Sequence, residues 1–167
     1  MTDIDLPVSI AADAGQTLIA RGEKVSVAES STGGLIAATL LAVPGASGFF
    51  EGGSVVYTLA SRRAYLDLAG DRVRELKPLS EPMVAVFAEA AAAKLEAAWG
   101  IAELGAAGPT GSRYGHDAGT SVIGVWGPVS MQTTVVTGSD DRLGNMAAFT
   151  AAAIELFAAA VTAAAES

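Results

Sequence analysis

The sequence predicts an α/β fold, a three-layer α/β/α sandwich around a mixed, mainly parallel sheet. Apolar residues at helical spacing alternate with short apolar runs typical of buried strands in the first part of the chain. Near the end, two strand patterns flank turn residues, which predicts an antiparallel hairpin in the same sheet. The chain has 167 residues, of which 51% are hydrophobic, enough to form one domain over residues 1–167.

In the first half of the chain, helix and strand patterns follow one another with turn residues between them. The predicted elements there are helices over residues 7–21, 32–42 and 60–68 and strands over residues 24–28 and 53–57. Gly22 ends the first helix, and the turn at Pro44 and Gly45 ends the second.

The second half begins with the clearest helix pattern in the sequence. Ser80 is a good N-cap, Glu81 and Pro82 occupy the first turn, and the apolar residues that follow recur at helical spacing. The remaining predicted elements are strands over residues 101–107, 120–126 and 131–137 and a last helix that begins near residue 140.

The apolar sequence of the last predicted helix has two possible interpretations, a membrane span or a helix of a folded domain. Residues 146–165 have the length of a membrane span, but they are largely alanine and carry Glu155 in the middle. This composition favours a buried or oligomer-facing terminal helix, so we expect no membrane contact. The same apolar helix leads us to expect a homo-oligomer.

Composition excludes several other classes of function. Ten Lys and Arg against 18 Asp and Glu give a formal net charge of −8, which repels a phosphate backbone, so we expect no nucleic-acid partner. The lack of cysteine excludes a disulfide and a thiolate nucleophile, and a single histidine argues against a metal site. The acidic start, MTDIDLP, does not resemble a signal peptide, so we expect a cytoplasmic location.

Residues 28–34, AESSTGG, lie where a predicted strand meets a predicted helix. Gly33 and Gly34 let the backbone approach a ligand closely, and a helix start directs amide hydrogens towards an anion. A serine at this junction is well placed to attack a carbonyl carbon, and the same amides could stabilise the oxyanion that forms. The alternative is that Ser31 or Thr32 only caps the helix.

A second glycine-rich stretch, GAAGPTG at residues 105–111, lies at the end of another predicted strand. Loops at the carboxyl ends of strands line the ligand crevice of open α/β sheets, so the two stretches together predict one composite site. Taken alone, this loop also fits an ordinary surface turn. His116 lies just beyond it, either as a base or phosphate ligand or as a solvated loop residue.

Four segments, in order, resemble the C-terminal domain family of the competence and damage-inducible protein CinA. They are VAESSTGGLIAATLLAVPGASGFFEGGSVVYT, LSEPMV, GAAGPTG and GTSVIGVW, and the resemblance extends from about residue 7 to 160. Enzymatic members of that family are nicotinamide mononucleotide deamidases. The resemblance therefore implies a three-layer fold, a small-molecule nucleotide substrate, and hydrolysis of its carboxamide to a carboxylate and ammonia without a metal or cofactor.

The resemblance also implies the residues of the site. Ser30 corresponds to the serine nucleophile, Tyr57 to a tyrosine close to the reacting centre, and Arg62 stands where the family has a lysine that assists proton transfer. These three form the implied catalytic set. The implied substrate-binding residues are Glu29, Ser31, Thr32, Gly33, Gly34, Gly108, Pro109, Thr110, Gly111, His116 and Arg142.

Departures from the family pattern fall on charged residues. A desolvated lysine can lose its proton and serve as a base, whereas a guanidinium stays charged, so Arg62 retains the charge and removes the base. Gly52 replaces a family arginine, and Arg142 aligns only if the register shifts by two residues. Three functions remain open: an amidohydrolase, a module that binds a nucleotide or small anion without turnover, and an oligomerisation domain.

Overall fold

One five-stranded sheet forms the centre of the computed structural model, which describes residues 4–167. The strands are β1 Val25–Glu29, β2 Phe50–Val55, β3 Trp99–Ala106, β4 Thr120–Trp126 and β5 Met131–Val136. Their order across the sheet is β2-β1-β3-β4-β5. β1 pairs in parallel with β2 and β3, while β4 is antiparallel to both β3 and β5. The predicted mixed sheet is therefore confirmed, with β4 alone of the five strands running against the others.

Helices cover both faces of this sheet. They are α1 Val8–Arg21, α2 Leu35–Leu41, α3 Leu59–Leu66, α4 Glu81–Lys94 and α5 Arg142–Ala165. α1, α2 and α5 pack on one face, and α3 and α4 pack on the other. This arrangement is the predicted α/β/α sandwich.

Capping explains two of the helix boundaries that the sequence predicts well. α1 ends where Gly22 adopts a left-handed conformation with φ of 67°, which a residue without Cβ takes at no steric cost. α4 begins after Ser80, whose hydroxyl oxygen accepts a hydrogen bond from the backbone N–H of Met83 at 3.3 Å.

Most elements differ from their predicted bounds by one or two residues, and for α2 and β2 the structure gives the physical reason. α2 begins at Leu35, not at residue 32, because Gly33 and Gly34 have positive φ angles of 65° and 105° and form a turn before the helix. β2 covers Phe50–Val55, not residues 53–57, because its pairing with β1 already begins opposite Val25.

α5 is the one helix within residues 4–167 that is long and apolar enough to cross a membrane by length and composition, with a mean hydropathy of 1.7 over its most apolar window. It packs against α1, α2 and the sheet, and Phe149, Ile154 and Phe157 along it are fully buried. The packing matches the expectation of a terminal helix with a buried face, and contact of its remaining surface with another copy of the chain stays a prediction.

Side-chain alternation along β1 assigns each residue to one layer. Val25 and Val27 belong to the core beneath α1 and α5, whereas Ala28 belongs to the core beneath α4. Successive side chains of a strand point to opposite faces, so Glu29 lies on the α5 side of the sheet and Ser30 on the α4 side.

α4 lies very close to the sheet because glycines face it. A Cβ added to Gly100 would lie 1.9 Å from the carbonyl oxygen of Ala88, and one added to Gly124 would lie 3.0 Å from that of Val84. The close approach brings α4 over the face of the sheet that carries Ser30.

Gly100→Ala is expected to lower the free energy of unfolding by about 1–3 kcal/mol or more, because the added methyl group forces α4 away from the sheet. Urea denaturation measures the change. Gly70→Ala is the matched control, since a Cβ there has open space around it and should change stability by less than about 0.5 kcal/mol. Equal stability of the Gly100 variant and the wild type would contradict this packing.

Candidate active site

A cavity of about 580 Å³ opens at the carboxyl ends of the parallel strands, on the α4 side of the sheet. Ser30 lines it directly after β1, Tyr57 lies two residues after β2, and Gly105 lies near the end of β3. Leu59 and Arg62 of α3 and Met83 and Phe87 of α4 form part of its wall. Its volume is in the range of about 300–1,000 Å³ that is usual for small-molecule sites.

The Ser30 hydroxyl reaches this cavity. Ser30 as a residue is only 5% exposed, yet its Oγ makes no side-chain hydrogen bond with residues 4–167. Every fully buried side-chain polar atom in that range has a hydrogen-bond partner, so the unpaired Oγ must face open space. This oxygen is therefore available to a bound molecule.

The buried carboxylate of Glu103 fixes the turn that carries Ser30. Its Oε2 accepts hydrogen bonds from the backbone N–H groups of Ser30 at 3.1 Å and Thr32 at 3.0 Å. Its Oε1 accepts from the hydroxyls of Ser31 at 2.5 Å and Ser121 at 2.9 Å. These charge-assisted bonds offset the cost of burying the carboxylate completely.

Glu29, which is also buried, caps the start of α2. Its Oε2 accepts from the N–H of Ile36 at 3.1 Å and from the Thr32 hydroxyl at 2.6 Å, and its Oε1 accepts from the N–H of Ala37 at 3.0 Å. A carboxylate at a helix N-terminus pairs with free amides and with the helix dipole. The cap considered for Ser31 or Thr32 is thus supplied by Glu29.

The two carboxylates lie behind the cavity, outside its lining. β1 and β3 pair in parallel with Ala28 opposite Ala102, so the next step of the register brings Glu29 beside Glu103 on the α5 side. Gly105 leaves room for this network, because a Cβ there would lie 2.6 Å from Glu103 Oε1. The acidic pair therefore positions the backbone around Ser30, and its carboxylates lie on the other side of the sheet from the cavity.

Arg62 is a half-buried cation in the cavity wall. Its Nε donates to the carbonyl oxygen of Val56 at 3.2 Å, and its guanidinium carbon lies 5.1 Å from the centre of the Phe87 ring. Burial lowers the pKa of Arg62, Tyr114 raises it and Arg113 lowers it. A guanidinium starts from so high a pKa that it remains protonated, so Arg62 acts as a cation and hydrogen-bond donor.

Arg142 connects Tyr57, a cavity-lining residue, to the glycine-rich loop at residues 108–111. Its Nη1 donates to the carbonyl oxygen of Gly108 at 2.5 Å, and its Nη2 donates to the Tyr57 hydroxyl at 3.4 Å. Arg142 lies outside the cavity lining, so in this structure it acts on the site through Tyr57.

A model of the CinA C-terminal domain family matches residues 8–161. The chain belongs to the CinA C-terminal domain family. Two relatives are CinA-like proteins: one from Anaeromyxobacter dehalogenans is 38% identical over 136 residues, and one from Prochlorococcus marinus is 44% identical over 108 residues. The matches cover 80% and 65% of this chain but 33% and 25% of those proteins. The chain thus spans a third or less of the length of these curated relatives.

Solved CinA-family structures share the fold over nearly their whole length. A competence-damaged protein (CinA) superfamily protein from Escherichia coli has a TM-score of 0.83 and 25% identity, with 95% of this chain and 93% of that chain covered. The competence/damage inducible protein CihA from Agrobacterium tumefaciens has a TM-score of 0.84 and 25% identity, with 95% and 98% covered. The α/β/α sandwich is therefore the fold of this family.

In this CinA domain, the three residues of the implied catalytic set line one cavity: Ser30, Tyr57 and Arg62. The residues of the implied substrate-binding set lie outside its lining: Glu29, Ser31, Thr32, Gly33, Gly34, Gly108, Pro109, Thr110, Gly111, His116 and Arg142. His116 remains near, because its Nδ1 lies 3.1 Å from the hydroxyl of the cavity residue Ser112. Contact of this second set with a ligand stays a prediction.

Sequence reasoning missed several residues of the site. Glu103 gave one signal, since it is a charged residue in the middle of an otherwise apolar strand pattern. Arg63, Arg74 and Arg113 also line the cavity, but they come from separate segments and carry no local pattern. Only the fold brings these arginines together.

Glu103→Gln is expected to lower the free energy of unfolding by about 1–3 kcal/mol, because an amide nitrogen would face donors that now bond to a carboxylate oxygen. Glu96→Gln, at an exposed position without an ion pair in residues 4–167, is the matched control. Chemical denaturation compares the two variants. If Glu103→Gln lowers the free energy of unfolding no more than Glu96→Gln does, Glu103 does not stabilise the turn at residues 30–34.

Proposed function

We propose that this CinA-family domain hydrolyses the carboxamide of nicotinamide mononucleotide to a carboxylate and ammonia, with Ser30 as the nucleophile. The observation that carries the proposal is the unpaired Ser30 hydroxyl, which opens into a cavity also lined by Tyr57 and Arg62. The family resemblance supplies the substrate, and the cavity lining supplies a nucleophile and a cation.

The reaction proceeds in two balanced steps. Ser30 Oγ attacks the carboxamide carbon and forms an acyl ester, and the nitrogen leaves as ammonia after it takes up the serine proton. Water then attacks the ester, which gives the carboxylic acid and returns the proton to Ser30. Tyr57, whose hydroxyl oxygen already accepts from Arg142, is the side chain in the wall that can relay these protons with water.

In this proposed reaction, Arg62 stabilises the negative charge that develops on the substrate oxygen. The amides of Ser30 and Thr32 donate to Glu103, and the amide of Gly33 donates to the carbonyl oxygen of Ser30 at 3.2 Å. With these three amides engaged, we assign the stabilisation of the developing oxyanion to the guanidinium of Arg62, a cation that lines the same cavity as Ser30. It cannot also remove the serine proton, so turnover is expected to be slow.

The rest of the cavity suits a charged aromatic nucleotide. Tyr57 and Tyr114 place aromatic side chains in the lining, and aromatic rings attract a cationic pyridinium ring such as that of the substrate. Arginine side chains in the wall provide charge-assisted donors for its phosphate.

A second candidate function is binding of the nucleotide without turnover. Neither a histidine nor a carboxylate occurs among the cavity-lining residues in the described part of the chain. Serine hydrolases activate their nucleophile with an adjacent base, and the arginine at position 62 does not provide one.

Ser30→Ala is expected to abolish ammonia release from nicotinamide mononucleotide, a loss of at least about 10³-fold, because the attacking oxygen is removed. The assay quantifies ammonia and separates the mononucleotide products by chromatography. Ser47→Ala, the same change at an exposed position away from the cavity, should retain wild-type activity. Undiminished ammonia release by Ser30→Ala would rule out the proposed nucleophile.

Arg62→Lys is expected to raise the turnover number by about 10²-fold, the lower range for general-base catalysis, because a partly desolvated lysine can lose its proton. Arg21→Lys, on α1 and outside the cavity lining, is the control and should leave turnover unchanged. If wild type and Arg62→Lys both bind the mononucleotide and release no ammonia, the amidase proposal fails and binding without turnover is supported.

A further inference from the structure

The cavity is strongly cationic in an acidic protein. Arg62, Arg63, Arg74 and Arg113 all line it, and aspartate and glutamate are missing from the lining within residues 4–167. The chain as a whole has ten Lys and Arg and a formal net charge of −8. Four of these ten basic residues therefore face one cavity, a concentration that a random spread of charge does not produce.

These arginines have no acidic partners in the described residues. The salt bridges in residues 4–167 use other basic residues, namely Arg21, Lys24, Arg72 and Lys94. Burial lowers the pKa of Arg62, Tyr114 raises it, and the like charge of the neighbouring Arg113 lowers it. A bound anion would neutralise this uncompensated charge.

The four arginines surround the cavity from three separate segments. Arg62 and Arg63 lie on α3, Arg74 lies in the connection between α3 and α4, and Arg113 lies in the connection between β3 and β4. Because they approach from different elements, they can contact successive anionic groups of one extended ligand. A single phosphate monoester needs fewer donors than this set provides.

We propose that the cavity binds a nucleotide that carries a pyrophosphate group, with Arg63, Arg74 and Arg113 forming an anionic subsite for the additional phosphoryl group. The inference rests on the proposed function only in that both place a nucleotide in the same cavity. It adds to the mononucleotide of the proposed reaction a second class of ligand for this cavity, a nucleoside diphosphate or a pyrophosphate-linked dinucleotide.

Aromatic contacts favour a nucleotide over a free inorganic anion. The guanidinium carbon of Arg113 lies 5.3 Å from the centre of the Tyr114 ring, and that of Arg62 lies 5.1 Å from the Phe87 ring. Such stacking restrains a guanidinium and leaves its edge free to donate to phosphoryl oxygens. The faces of the Tyr57 and Tyr114 rings in the lining provide stacking surfaces for a base.

Isothermal titration calorimetry tests the proposal with four probes: AMP, ADP, inorganic phosphate and inorganic pyrophosphate. ADP should bind at least about tenfold more tightly than AMP, the gain expected from one additional charge-assisted contact. ADP should also bind more tightly than inorganic pyrophosphate. The difference in affinity between ADP and AMP should become smaller as the salt concentration is raised, because salt screens the charges of these partly exposed arginines.

The triple variant Arg63→Gln, Arg74→Gln, Arg113→Gln should lose the preference for ADP over AMP. Its control is Arg21→Gln, Lys24→Gln, Arg72→Gln, which changes the net charge equally at residues outside the cavity lining and should keep the preference. Thermal melts verify that both variants are folded.

Equal affinity for AMP and ADP, or a preference that survives in the cavity variant, would overturn the inference. Inorganic pyrophosphate that binds as tightly as ADP would overturn the assignment to a nucleotide. The ammonia assay is independent of these titrations. Ammonia release combined with equal AMP and ADP affinity defeats only the pyrophosphate inference, whereas a preserved ADP preference without ammonia release defeats only the amidase proposal.

Discussion

The buried carboxylate of Glu103 is the constraint on which the geometry of the site depends. It joins β3 to the turn after β1 by accepting hydrogen bonds from the backbone of Ser30 and Thr32 and from the hydroxyl of Ser31. A carboxylate without a countercharge is stable in the interior only if donors surround it, and this turn provides them. Glu103 therefore fixes the turn, and the turn fixes the direction of the Ser30 hydroxyl.

Strand alternation separates the acidic residues from the cavity and decides what chemistry each side can perform. Glu29 and Glu103 lie on the α5 side with their oxygens engaged, whereas Ser30 faces α4 and the cavity. The serine therefore shares its cavity with the cation Arg62, whereas the two carboxylates are outside the cavity lining. A cavity with a guanidinium and without a carboxylate in its lining is suited to stabilise negative charge and is poorly suited to accept a proton.

The charge of the cavity is opposite to that of the whole molecule. A cationic cavity in a protein of net negative charge directs an anionic ligand to one place, because positive potential in a low-dielectric cleft is focused there. Arg62 and Arg63 on α3 and Arg113 in the β3–β4 connection line the same cavity without an acidic residue in its lining in residues 4–167. A bound anion would supply the countercharge that the lining lacks.

The sequence by itself determined the features that depend on neighbouring residues. Ser80 marked the start of α4, Gly22 the end of α1, and the motif around Ser30 indicated both the family and the strand end where the cavity opens. The tertiary structure alone decided which distant residues meet. Glu103 lies 73 positions from Ser30, and the cavity arginines come from three separate segments of the chain. Local propensity cannot specify such contacts, because they arise from strand register and from the packing of helices on the sheet.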